Sequence, residues 1–102
     1  MPTYKAVATV ADGPTNADLT IDGEDVIIDD LKGEGIIISD KDPIPYTYEA
    51  TGTAGFPADL TVVLTPTLAG TPINFTKKYV IPENDLLSDD NGAIPIKKAG
   101  NN

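Results

Sequence analysis

At 102 residues the chain is long enough for one domain with a modest core and too short for two. It contains no cysteine, histidine, tryptophan or arginine, which excludes disulfides, thiolate metal sites, histidine acid–base chemistry and bidentate guanidinium recognition of phosphate or guanine. Sixteen carboxylates against seven lysines give a formal net charge of −9, the wrong sign for a nucleic-acid surface or an anionic membrane.

The hydrophobic period is two along nearly the whole chain, which predicts strands. Thr3 to Val10 is the first, with Tyr4, Ala6, Ala8 and Val10 on one face. Asp12-Gly13-Pro14 turns the chain, and Leu19 and Ile21 then alternate with Asp18, Thr20 and Asp22. Asp22-Gly23 is a hairpin signal, because both residues tolerate the positive φ such turns need. Val26-Ile27-Ile28 and Ile36-Ile37-Ile38 follow as two short strands separated by Asp29-Asp30, a solvated strand end, and Lys32-Gly33-Glu34-Gly35. After Asp40-Lys41-Asp42-Pro43, Ile44 to Thr51 is the clearest amphipathic strand, and Pro45 predicts that it starts at a sheet edge.

Gly52 to Asp59 is a loop carrying an exposed aromatic, Phe56. Leu60 to Thr65 is a strand that Pro66 ends. Ala69 to Pro72 turns, and a strand runs from Ile73 to Ile81. Pro82 to Gly92 is predicted as the longest loop, with one helical turn at Asn84 to Leu87. Ala93 to Ala99 gives a last strand, and residues 100–102 a frayed tail.

Seven to eight strands with turns every 8–12 residues or so predict an all-β domain spanning residues 1–102. An antiparallel, immunoglobulin-like β-sandwich is the first expectation and a small β-barrel the alternative. The N-terminus, Met1-Pro2-Thr3-Tyr4-Lys5, shows neither the charged nor the apolar region of a secretory signal. No apolar run reaches the ~20 residues of a membrane span, so a cytoplasmic or virion location is expected.

Catalysis by paired carboxylates is arithmetically open, but most of the Asp and Glu residues fall in turns, where they cap amides and stay solvated. No enzyme activity is therefore expected, and no cofactor. Calcium is the stronger polar option, since hard cations take several loop oxygens. Glu83, Asp85, Asp89 and Asp90 form the best candidate set, within a stretch that resembles in composition the acidic interdomain loops of calcium-dependent adhesion modules. The resemblance implies a calcium-dependent adhesion or carbohydrate-binding module as the alternative function. The spacing departs from an EF-hand, and Asp90-Asn91-Gly92 reads first as a chain reversal.

The apolar signal is Val26, Ile27, Ile28, Ile36, Ile37 and Ile38, which do not alternate with polar residues. Both faces of those strands are apolar, so a cover is expected: a loop or terminus of the chain, another copy, or a larger assembly. Lys32, Glu34, Asp40 and Lys41 bracket the run as gatekeepers against aggregation. A non-catalytic structural or protein-interaction module is thus the leading expectation, probed by a protein partner or self-association. By fold-level analogy such modules serve as subunits or decorations of virus particles.

Overall fold

A computed structural model describes residues 3–11, 13–68 and 70–96. Eight strands follow one another: β1 (Thr3–Val10), β2 (Pro14–Ile21), β3 (Glu24–Asp29), β4 (Lys32–Ile38), β5 (Ile44–Gly52), β6 (Leu60–Pro66), β7 (Ile73–Lys77) and β8 (Leu86–Ile94). All pair antiparallel in one sheet of order β7-β6-β1-β4-β3-β2-β5-β8. The run β1-β4-β3-β2 is a Greek key, and β5 returns beside β2 to make a second that shares three of its strands. No helix of the described residues is long and apolar enough to cross a membrane.

The sheet turns a corner at β3. Glu24 to Val26 pair with β2, whereas Ile27 to Asp29 pair with β4. Two leaves result, β7-β6-β1-β4 and β2-β5-β8, enclosing one core. The all-β expectation holds, and the arrangement combines the two leaves of a sandwich with the nearly closed sheet of a barrel.

Alternation decides what lies inside. Tyr4, Ala6, Ala8 and Val10 of β1, Leu60, Val62 and Leu64 of β6, and Ile44, Tyr46, Tyr48 and Ala50 of β5 all point inward. Small residues face each other where β1 meets β4, with Ala6 opposite Gly35 and Ala8 opposite Gly33. Bulk comes instead from Tyr46 and Tyr48 on the other leaf, both fully buried. Large residues against small ones let two leaves interdigitate at interior density.

Four local expectations are revised. Lys32 to Gly35 is strand, not a break, because the β3–β4 reversal is the two-residue turn Asp30-Leu31, both at positive φ as a primed hairpin turn requires. Gly33 is needed there for close approach: a Cβ would lie 2.2 Å from the Ile27 carbonyl oxygen. Second, β5 is internal, between β2 and β8. Pro45 is tolerated because it sits one position past the end of β2, where its carbonyl accepts the Asp22 N–H at 2.7 Å.

Third, β7 stops at Lys77 rather than Ile81. Tyr79 and Ile81 turn inward over one end of the barrel. There a short ribbon with Phe56 to Ala58 holds them, through Ala58 N–H to Tyr79 C=O and Ile81 N–H to Phe56 C=O. Fourth, the long loop is short and holds no helical turn. Pro82 to Asp85 closes as a single turn, and β8 then takes Leu86 to Ile94. The strand predicted from Ala93 to Ala99 therefore lies earlier, and its positions 97–99 fall outside the described residues, as does the tail at 100–102.

Gly92 shows how tightly the core is filled. It lies opposite Tyr46 across the β5–β8 ladder, and a Cβ there would sit 2.2 Å from the tyrosine ring. Gly92→Ala should therefore destabilise the fold by about 1–3 kcal/mol through overpacking. The urea-unfolding midpoint reads this, and an unchanged midpoint would mean that the ring does not lie over the strand.

Candidate functional site

Two regions of the surface use the residues singled out in the sequence, and they behave differently. The first is the seam between the edge strands β7 and β8, which no backbone ladder joins. A bulge in β8, between the residues opposite Tyr46 and Tyr48, turns Asp89 toward it. The Asn91 N–H donates to Asp89 Oδ1 at 3.0 Å and fixes that carboxylate. Tyr79 O–H donates to Asp89 Oδ2 at 2.6 Å, and Lys77 Nζ stands 3.5 Å from the same oxygen.

The Tyr46 and Tyr79 hydroxyls lie 2.6 Å apart. A carboxylate can only accept, so Tyr79 donates to Asp89 and must receive its own hydrogen bond from Tyr46. The chain of donation runs Tyr46 to Tyr79 to Asp89. Phe75 packs edge-on against Tyr46 at 5.6 Å, and Tyr48 packs on Tyr79 at 5.0 Å. A third hydroxyl, Tyr48 O–H, donates to the Ala58 carbonyl at 2.9 Å.

These contacts account for the acidic residues proposed as calcium ligands. Asp89 is committed to the seam. Asp85, at φ 63°, caps the Ala54 N–H at 3.0 Å across a neighbouring loop, and its carbonyl accepts from Gly52. Glu83 is exposed in the turn and Asp90 is exposed beside the bulge. Among the described residues no three carboxylates converge on a point that could hold a metal ion. Elsewhere Asp22 pairs with Lys41 at 2.7 Å, and Asp42 caps the Ile96 N–H at 2.9 Å. A shallow open depression of about 130 Å³ is lined by Thr20, Asp22, Pro45, Thr47 and Asp90 among others.

The second region is the outer face of β3 and β4. Val26 and Ile37 are buried in the core at 2% and 0% exposure, while Ile28 is half-buried against it. Their neighbours in sequence point the other way: Ile27 is 76% exposed, Ile36 54% and Ile38 49%. The two triplets therefore do alternate in direction, and only their outward members lack cover among the described residues. Val7 of β1 lies in the same cross-strand row as Ile27, with Glu34 between them. Lys5, opposite Ile36, stands 3.5 Å from Glu34.

No family model matches the chain, and neither a curated protein nor a solved structure matches it.

The seam predicts a stability profile with two limbs. The Tyr79 hydroxyl, then the Asn91 N–H and Lys77, hold the Asp89 carboxyl below its ordinary value of 3.8. A depressed folded value contributes stability that is present above about pH 4 and is lost as the carboxylate is protonated. Burial raises the hydroxyl pKa of Tyr46, Tyr48 and Tyr79 above the ordinary 10.0. Their stabilisation is complete below that value and falls as pH rises past it, because only the unfolded chain then ionises them. Alkaline titration should show these tyrosinates appearing together with loss of strand circular dichroism, and ionisation near pH 10 in a still-folded chain would contradict the seam. Asp89→Asn should cost ~1–3 kcal/mol at neutral pH and flatten the acid limb.

Proposed function

We propose that the protein is a non-catalytic structural or interaction module, a subunit or decoration of a larger assembly such as a virus particle. It works through protein contacts and takes neither nucleic acid nor membrane as its partner. One observation carries this reading: Ile27, Ile36 and Ile38 stand exposed in the middle of a regular sheet. Scattered apolar residues on a surface are ordinary, but three on adjacent strands of one face make a patch, and such patches mark contact sites.

The interior supports the same reading from the other side. The Tyr46 and Tyr79 hydroxyls and the carboxylates of Asp42, Asp85 and Asp89 are engaged in closing the seam and capping backbone N–H groups. The face itself is built from backbone-paired strands, so it offers a preorganised surface rather than a cleft. Preordered surfaces suit protein partners, because little ordering entropy is lost on docking.

The test is the size of the particle that carries the protein in the cells that make it. Gentle lysis and gradient fractionation should recover the native chain in a species far heavier than 10.7 kDa. Ile27→Lys should move it to the light fractions without altering its folded circular dichroism. Native chain found only as a free small species would sink the assembly reading.

A further inference from the structure

We infer that the seam between β7 and β8 is an acid-released latch: protonation of Asp89 parts the two edge strands while every ladder of the sheet stays paired.

Topology sets where the sheet can open. Seven ladders join the eight strands in a row, and separating the strands of any one of them breaks backbone hydrogen bonds. Among the described residues no backbone hydrogen bond joins β7 to β8, so there the strands part with the loss of side-chain contacts alone. β7 is also lightly held. It has five residues, none fully buried, and a ladder on one side only. Local openings are drawn from elements with few buried contacts of this kind.

Convergence lets one group decide. Lys77 Nζ, at 3.5 Å, and the Tyr79 hydroxyl, at 2.6 Å, both reach the same oxygen, Asp89 Oδ2. The Tyr46 hydroxyl joins through Tyr79, and Phe75 of β7 packs edge-on against the Tyr46 ring. A proton on Asp89 ends the ion pair and leaves Tyr79 a neutral acceptor, which binds it about half as strongly. Two contacts weaken at once.

The charged and titratable groups facing Asp89 are Lys77 and Tyr79 across the seam, and Tyr46 and Tyr48 on β5 beside it. Asp90, the next residue of β8, is exposed. The lysine and the tyrosines keep their protons throughout the acid range, so Asp89 is the member that changes there. Asp59 lies at the other end of Tyr79, where its Oδ1 accepts the Tyr79 N–H at 3.2 Å. An amide in its place accepts the same bond. Closure holds the Asp89 carboxyl below its ordinary value of 3.8. The closed seam is therefore fully favoured above about pH 4 and is lost as pH falls through the depressed value.

The test is a titration of the purified chain from about pH 7 to about pH 2, read by the tyrosine circular-dichroism band, the strand band and amide hydrogen exchange. The tyrosine band should fall with a midpoint below 3.8, while the strand band and the protection of the β5–β8 and β6–β7 ladders remain. Asp89→Asn should show the diminished tyrosine band already at neutral pH, with no acid step. Lys77→Met removes a half-exposed cation and leaves the Tyr79 contact, so it should keep the step and raise its midpoint toward 3.8. Asp59→Asn should leave the midpoint in place. Loss of both bands and of ladder protection in a single transition overturns the latch, because the chain then unfolds whole. A tyrosine band that persists to about pH 2 overturns it as well. So does an acid step that survives in Asp89→Asn or vanishes in Asp59→Asn.

Discussion

A sheet of eight strands that curls until its edges meet must either join them by a backbone ladder or close the gap with side chains. Here the gap between β7 and β8 is closed by side chains. The hydroxyl relay from Tyr46 through Tyr79 ends on Asp89, whose negative charge is stabilised by Lys77 and the Asn91 N–H. Hydrogen bonds to an ionised acceptor are about twice as strong as neutral ones, and in a partly buried site their loss leaves polar groups without partners. The bulge in β8, the glycine under the Tyr46 ring and the inward turn of Tyr79 each serve that closure.

Once the seam is shut, the buried side chains form one cluster, to which the outward side chains of β3 and β4 do not belong. Fold and proposed function connect at this point. The outward isoleucines contribute little to a monomer's interior, yet each exposes apolar surface that water disfavours. Their place side by side on adjacent strands fits a contact made outside the chain. Paired strands also hold them at fixed spacing, which a loop could not do.

Much of this was legible in the sequence, and the reason is period two. The strands from Thr3, Ile44 and Leu60 and the turn at Asp22-Gly23 follow from alternation and turn chemistry. What escaped depends on partners distant in sequence. Leu86 to Asp90 reads as loop because Ser88, Asp89 and Asp90 interrupt the apolar alternation; its strand character comes from pairing with β5. Asp89 has the same composition signal as a calcium ligand, and only Tyr79 and Lys77 across the seam give it a different task. The Gly33-Glu34-Gly35 stretch reads as a break, whereas its glycines admit the neighbouring strand. For the isoleucine triplets, composition announced apolar residues on both faces, but register alone decides which members face the core.

The claim that most needs testing is that Ile27, Ile36 and Ile38 serve contact rather than folding. Threonine keeps strand propensity while removing the apolar surface, so the informative measurement is the urea-unfolding free energy of the triple variant Ile27→Thr, Ile36→Thr, Ile38→Thr, taken at low micromolar concentration. The account predicts a value within about 1 kcal/mol of the native chain, as for surface substitutions that leave the fold's own contacts intact. A loss of several kcal/mol would contradict it, placing those side chains among the contacts that hold the monomer together.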